Sequence, residues 1–159
     1  MAYAWPWTAL IAQFKFHDQP SWASHFALLM QNTPFAADAI EQADALIPIP
    51  LSLKRLSERG YNQSLILSQK LSAQKTHPKS LLRMRHTAAQ STLSRQQRLT
   101  NLNGAFAVSP FKSAELRGQR VMLIDDVMTS GATLQAAAQV LKQAGAVHVS
   151  ALVFARTPA

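Results

Sequence analysis

The chain has no cysteine and no long hydrophobic run. The absence of cysteine among its 159 residues excludes disulfide bridges and metal sites built from thiolates. No stretch approaches the roughly 18–20 apolar residues of a membrane-spanning helix, and the N-terminus lacks the basic region of a secretory signal. We therefore expect no membrane span and no secretory leader, and the cytoplasm is the expected compartment.

Acidic residues are scarce as well. Eight Asp and Glu stand against 16 Lys and Arg, which gives a formal net charge of +8. Between Lys54 and Arg120 there are 13 Lys and Arg but only two acidic residues, Glu58 and Glu115. Such a basic segment favours a polyanionic partner, such as pyrophosphate, a nucleotide, nucleic acid or an acidic membrane surface. A solvated surface would also account for scattered lysines, whereas the arginines clustered at positions 83–98 favour binding.

The aromatic residues are concentrated near the N-terminus. Eight of the 12 lie in the first 35 positions, and apolar residues there recur at helical spacing. Two short amphipathic helices are predicted, with the stripes Trp7, Leu10, Ile11, Phe14 and Trp22, Phe26, Leu29, Met30. Such stripes are more typical of a core or a subunit interface than of a ligand platform, although an exposed ring could stack on a base.

From residue 44 onward, short apolar runs alternate with helical stretches. The pattern predicts a strand at 45–49, a loop at 51–63 with Asn62 capping the next helix, and strands at 105–108, 121–124 and 147–156. A helix at 132–145 connects the last two strands, with Gly145 placed to end it. Strand, helix and strand in this order indicate a parallel sheet with a right-handed crossover, and a chain of this length indicates one α/β domain over residues 1–159.

The stretch VMLIDDVMTSGATL, residues 121–134, combines two carboxylates with a turn that suits an anion. Asp125 and Asp126 should emerge at the carboxyl edge of the sheet, where ligands bind in such folds. The start of the following helix offers free N–H groups and hydroxyls to a phosphate, and Gly131 permits close backbone approach. Carboxylates accept hydrogen bonds from hydroxyls. A vicinal diol next to a phosphate, as in ribose 5-phosphate, would therefore suit both the carboxylate pair and the anion-binding turn.

Other interpretations of the same residues stay open. Two Asp after a strand can simply solvate the sheet edge, and Thr129 or Ser130 can be an ordinary helix N-cap. Asp pairs at this position also hold Mg²⁺ or accept phosphoryl groups in other α/β proteins. The combination of apolar run, paired Asp, small hydroxyls and Gly is more specific than the Asp pair alone.

The stretch VMLIDDVMTSGAT resembles the phosphoribosyl diphosphate (PRPP) motif of type I phosphoribosyltransferases. The segments LIAQFKF, IPIPLSLKRLSERGYNQS and RMRHTAAQSTLSRQQRLTNLNGAF extend the resemblance over nearly the whole chain to the ComF/GntX family, which is linked to competence and DNA uptake. Members of that family commonly carry a four-cysteine zinc finger ahead of the first of these segments. This sequence contains no such finger, and we predict no zinc.

The resemblance implies a type I phosphoribosyltransferase fold: a mainly parallel sheet flanked by helices, with an N-terminal helical hood over residues 1–43 and a core over 44–159. Asp125 and Asp126 would be the catalytic carboxylates that hold the ribose hydroxyls. The 5-phosphate would be held by Val127, Met128, Thr129, Ser130, Gly131, Ala132 and Thr133. The pyrophosphate loop would supply Ser52, Lys54, Arg55 and Arg59. A mobile lid would supply Arg83, Arg85, Arg95 and Arg98 to the diphosphate and to nucleic acid.

The implied chemistry is displacement of pyrophosphate at ribose C1. Mg²⁺ would be the cofactor, bound mainly through substrate oxygens near Asp125 and Asp126 rather than by a protein cage. The resemblance favours a PRPP-binding protein of DNA uptake and utilisation that also binds single-stranded DNA and a protein of the competence machinery. An active phosphoribosyltransferase that modifies a nucleobase or another nitrogen acceptor is the alternative, and the two roles are compatible.

Overall fold

The computed structural model describes residues 1–16, 19–84 and 104–157. The helices are α1 (Trp7–Phe16), α2 (Trp22–Gln31), α3 (Ala36–Gln42), α4 (Leu53–Arg59), α5 (Gln63–Ser72), α6 (Ser113–Leu116) and α7 (Ala132–Gln143). The strands are β1 (Ala45–Pro48), β2 (Leu81–Arg83), β3 (Phe106–Val108), β4 (Arg120–Met128) and β5 (His148–Arg156). None of the helices in these ranges is long and apolar enough to cross a membrane.

A three-stranded parallel sheet forms the centre of the fold, in the order β1, β4, β5. The predicted parallel sheet and the crossover through α7 are therefore confirmed. Strands β2 and β3 form a separate antiparallel pair, of which only the β3 segment was predicted. The last residue of β1, Pro48, pairs with Ile124, and β4 continues beyond that point through Asp125 and Asp126 to Met128.

The central strand β4 divides the apolar residues between two cores. Met122 and Ile124 face a core that contains Phe14, Phe26 and Leu67 from α1, α2 and α5. Because side chains alternate along a strand, Val121 and Leu123 point to the opposite face, where they join the core of α7. This alternation places the N-terminal helices on one side of the sheet and α7 on the other.

The N-terminal aromatic stripes are mostly core, as their spacing predicts. Phe14 and Phe26 are buried and meet edge to face, and Phe26 stacks on Phe154 of β5 with ring centroids 4.1 Å apart. Burial of such a ring stabilises the fold by about 1.5–3 kcal/mol. Trp5 and Phe35, by contrast, are each 84% exposed.

One predicted loop and one predicted strand end are wrong, and helices α3 and α6 were not predicted. The segment after β1 is a helix, α4, rather than a loop, because Ser52 caps its start by accepting from the Arg55 amide and Gly60 ends it in the left-handed conformation. Strand β4 does not end at Ile124 but continues to Met128, because β5 pairs with it as far as Arg156. Helix α3 precedes β1 without an apolar pattern long enough to signal it.

Candidate ligand site

A cavity of about 250 Å³ lies at the carboxyl ends of β1 and β4. Four cationic side chains and two carboxylates line it: Lys15, Arg55, Arg59, Arg83, Asp125 and Asp126. The other lining residues are Tyr3, Ile49, Pro50, Leu51, Val127, Met128, Thr129, Gly131, Thr133 and Leu134. Residues from α1, α4, β2, β4 and α7 thus meet around one polar space.

Asp125 is held by two hydrogen bonds to one of its oxygens. Its Oδ1 accepts from the Ser64 hydroxyl and from the backbone N–H of Asp126, each at 2.9 Å. Ser64 lies in the first turn of α5, where Asn62 caps the helix by accepting from the amides of Ser64 and Leu65. The cap predicted at Asn62 is confirmed, and it also places Ser64 against the carboxylate.

Asp126 is buried and faces a cation. The Lys15 ammonium in the last turn of α1 lies 2.9 Å from Asp126 Oδ2, and the side chains are 17% and 10% exposed. This oxygen has no hydrogen-bond donor among the described residues. The two charged groups therefore form a close ion pair without hydrogen-bond geometry. The ion pair offsets part of the cost of burying a carboxylate.

Burial raises the pKa of Asp125 to about 7, and the neighbouring Asp126 charge raises it too. The hydrogen bonds from Ser64 and the Asp126 amide and the charge of Lys15 act in the opposite direction. Although Asp125 keeps some exposed area towards the cavity, its carboxyl group is closely surrounded by protein. A carboxyl group that titrates near neutrality in a cavity is typical of functional sites.

The loop after Asp126 turns into the start of α7. Gly131 occupies the N-cap position with φ of +78°, in the left-handed region that favours glycine. Val127, Met128, Thr129, Gly131 and Thr133 line the cavity. Ser130 instead lies along a neighbouring cavity, and its hydroxyl accepts from the Ala132 amide at 3.5 Å.

Helix α4 supplies two of the predicted pyrophosphate-loop residues to the cavity. Arg55 and Arg59, one turn apart, both line it. Ser52 is buried and serves as the N-cap of α4. Lys54 does not line the cavity; its ammonium lies 4.0 Å from Glu58 in an exposed pair.

Arg83 reaches the cavity from β2. Its guanidinium carbon lies 5.3 Å from the centre of the Phe106 ring. The other three predicted lid residues, Arg85, Arg95 and Arg98, lie outside the described residues.

The arginines of the cavity lie close enough to affect one another. Burial lowers the pKa of Arg59 and of Arg83, and the charge of Arg55 lowers both further. Asp126 opposes this change at Arg59, and Asp125 opposes it at Arg83. Because arginine remains protonated in proteins, this crowding of positive charge favours binding of an anion between the three guanidinium groups.

Comparison with known proteins identifies the fold and the family. Residues 30–159 match the phosphoribosyl transferase domain family. The chain is 35% identical over 160 residues to Competence protein F of Haemophilus influenzae, covering 97% of this chain and 69% of that protein. The chain belongs to the ComF branch of the phosphoribosyltransferase family.

Other members and a solved structure agree with this assignment. DNA utilization protein YhgH of Escherichia coli O6:H1 is 33% identical, with 98% of this chain and 69% of that protein covered. Competence protein ComFC of Bacillus subtilis is 32% identical, with 92% and 58% covered. The allosteric regulatory enzyme of purine biosynthesis superposes with a TM-score of 0.54 at 14% identity over 90% of this chain and 30% of that one, which supports the type I phosphoribosyltransferase fold alone.

Several residues to which the resemblance assigns a ligand line one cavity, and their binding roles stay predictions. The Asp pair, most of the loop at 127–133, two arginines of α4 and Arg83 line one space. Sequence reasoning missed Lys15 and Ser64. A signal for Lys15 existed, because it follows Ile11 by four positions and so lies next to the buried stripe of α1. No local pattern distinguishes Ser64 from the other serines of the chain.

Proposed function

We propose that this ComF-family protein binds PRPP together with Mg²⁺ and acts in DNA uptake and utilisation. The observation that carries the proposal is the arrangement of opposite charges in the cavity. The carboxylates of Asp125 and Asp126 lie beside a helix N-terminus, and Arg55, Arg59 and Arg83 line the same space. PRPP carries the matching groups in one molecule: a diol, a 5-phosphate and a diphosphate.

Each part of the cavity has a chemical counterpart in the ligand. The ribose hydroxyls donate to Asp125 and Asp126. The 5-phosphate accepts from N–H groups at the start of α7 and from hydroxyls of Thr129 or Thr133. The diphosphate pairs with the guanidinium groups, whose planar geometry suits bidentate contacts with phosphate oxygens.

The donor set also suits a magnesium ion that arrives with its substrate. The described residues contain no group of three or more His, Asp or Glu side chains that could hold a metal, whereas Asp125 and Asp126 supply oxygens within reach of metal-bound water. Mg²⁺, when bound, would neutralise charge on the diphosphate. The guanidinium groups would stabilise negative charge that develops on the leaving group, and the carboxylates would orient the ribose.

Calorimetric titration with PRPP tests this proposal. Saturable binding that strengthens with Mg²⁺ is expected, and Asp126→Asn should weaken it. Lys112→Met is a surface control, because Lys112 pairs with the exposed Glu115 and does not line the cavity. Absence of PRPP binding with and without Mg²⁺ would contradict the proposal.

An active phosphoribosyltransferase is the second candidate function, and the carboxylate pair favours it. The carboxylates that bind the ribose diol in the first proposal would also orient the ribose during displacement at C1, so the cavity has the groups that a transferase needs. Release of pyrophosphate from PRPP, screened across nucleobases and other nitrogen acceptors, separates the two. Turnover with one acceptor would establish the enzyme; binding without turnover would favour a binding or regulatory role.

Single-stranded DNA binding is proposed on separate grounds. The chain has an excess of Lys and Arg between residues 54 and 120, and its relatives include proteins named for competence and DNA utilization. Phe16 is 66% exposed, and the Arg59 guanidinium carbon lies 5.0 Å from its ring centre. An exposed ring beside a guanidinium suits base stacking next to a backbone phosphate. We further propose that this protein has a partner in the competence machinery. We also propose that this protein is located in the cytoplasm.

A further inference from the structure

Among the described residues of the N-terminal helices, Lys15 is the charged one that lines the cavity, and its charge acts on the Asp pair. Its ammonium lies 2.9 Å from Asp126 Oδ2, while α1 is anchored in the core through Ile11 and Phe14. A lysine stem on a fixed helix gives the charge a defined position. The contact therefore joins α1 to the carboxylate end of β4.

The Asp pair has two different supports. Asp125 is held by the Ser64 hydroxyl of α5 and by a backbone amide, whereas Asp126 is held by the Lys15 charge. Arg55, Arg59 and Arg83 line the same cavity from α4 and β2, and Lys15 forms the salt bridge to Asp126 at 2.9 Å. Without Lys15, the repulsion between the two adjacent carboxylates would be offset only by the hydrogen bonds to Asp125 and by the charges of the cavity arginines.

We propose that Lys15 is a positioning residue that holds Asp126 ready for the ribose diol, and thereby makes α1 part of the sugar subsite. This inference rests on the proposed PRPP function. In this role the ammonium stays on Oδ2, and the remaining lone pairs of the two carboxylates accept from the ribose hydroxyls. The role acts through Asp126 and involves no contact between Lys15 and the phosphates.

The test compares a ligand that carries the diol with ligands that lack it. Ribose 5-phosphate, pyrophosphate and inorganic phosphate are titrated into the parent protein, Lys15→Met, Lys15→Arg and the surface control Lys112→Met. Lys15→Met should weaken the affinity for ribose 5-phosphate about tenfold, as expected from loss of the charged contact between Lys15 and Asp126. The affinities for pyrophosphate and phosphate should change less than about twofold. Lys15→Arg should recover most of the ribose 5-phosphate affinity, and Lys112→Met should match the parent.

A pH series supplies a second measurement. The Lys15 charge lowers the pKa of Asp125, so its removal should move the midpoint of ribose 5-phosphate binding to higher pH. The other charged groups facing Asp125 are Asp126, Arg55, Arg59 and Arg83, and they are the same in both proteins. A lysine whose charge does not reach the carboxylates that bind the ligand would leave this midpoint where it is.

The outcomes separate the two proposals. If the parent does not bind ribose 5-phosphate or PRPP, the proposed function fails. If the parent binds and Lys15→Met binds equally well, or loses all three ligands equally, the positioning role is wrong and Lys15 is a bystander or a phosphate contact. If Lys15→Met does not fold, Lys15→Gln replaces it; collapse of both in melting curves would make Lys15 a structural counter-ion and overturn the proposal.

Discussion

The Ser64 hydroxyl of α5 donates to Asp125 Oδ1 across 61 positions of sequence, at a distance of 2.9 Å. This bond ties the N-terminus of α5 to the carboxyl end of β4. Because Asn62 fixes the first turn of α5, the hydroxyl is held in place before a ligand arrives. One helix cap thus contributes to the ionisation of a carboxyl group in the ligand cavity.

Ser64→Ala should raise the pKa of Asp125 above its value of about 7. The hydroxyl stabilises the ionised form, and its loss leaves one acceptor of a buried carboxylate unpaired, at a cost of about 1–3 kcal/mol. The measurement is the pH dependence of PRPP binding, whose acidic limb should move to higher pH. Ser24→Ala on the exposed face of α2 is the control, and an unchanged limb in Ser64→Ala would remove Ser64 from the site.

Asp125→Asn should stabilise the ligand-free protein at alkaline pH while weakening PRPP binding. In the folded state the pKa of Asp125 is raised from 3.8 to about 7, so its contribution to the free energy of unfolding falls as pH rises between these values. Above about pH 7 the folded protein carries a buried charge that the amide avoids, a difference on the order of a few kcal/mol. Thermal melts of both proteins at pH 4 and pH 8 measure it; equal melting temperatures at pH 8 would contradict the buried-charge account.

Gly131→Ala should weaken the binding of ribose 5-phosphate and PRPP but leave the binding of pyrophosphate nearly unchanged. At φ of +78° an alanine is strained, although its Cβ would have only an ordinary 3.6 Å contact with the Met128 sulfur. The strain costs about 1 kcal/mol of stability, and the methyl group obstructs close approach of a phosphate to the helix start. Gly118→Ala, at φ of +74° with open space around it, controls for strain alone. Equal loss of all three ligands would instead indicate general damage to the fold.

Arg59→Gln and Lys54→Gln form a matched pair on α4, since each removes one positive charge. Arg59 lines the cavity, whereas Lys54 lies outside its lining and pairs with Glu58. Titration with pyrophosphate should show a loss of about tenfold for Arg59→Gln, the scale of a charge-assisted hydrogen bond, and little change for Lys54→Gln. Similar losses for both would mean that general charge, rather than the placement of Arg59, governs the affinity.

Single-stranded DNA should bind with an affinity that falls steeply with salt. Each neutralised phosphate contributes about −0.7 to the log–log slope on single strands, so fluorescence anisotropy across a salt series counts contacts. Arg95→Ala/Arg98→Ala should reduce both affinity and slope, and PRPP with Mg²⁺ should compete if these arginines serve both ligands. An unchanged slope in the double variant would indicate that other residues contact the DNA. Lys75 is a poor candidate, because its ammonium already donates to the carbonyls of Ile40, Glu41 and Ala43.

Local sequence was sufficient for much of the site. The apolar run, Asp125, Asp126 and the turn to Gly131 are contiguous, and strand, turn and helix N-terminus have signals of short range. The cap at Asn62 and the buried stripes of α1 and α2 were predictable for the same reason. The end of β4 was not predicted because it depends on a neighbouring strand: β4 reaches Met128 because β5 pairs with it that far.

Amino-acid order by itself determined the alternation of strands and helices, the ComF motif and the position of the turn that we propose binds phosphate, because these depend on neighbours along the chain. Tertiary structure alone decided that Lys15 meets Asp126, that Ser64 meets Asp125 and that Arg83 joins the arginines of α4. These contacts arise from packing of distant elements against a sheet, which periodicity does not encode. They also set the pKa of Asp125, because burial and nearby charges exist only once the chain has folded.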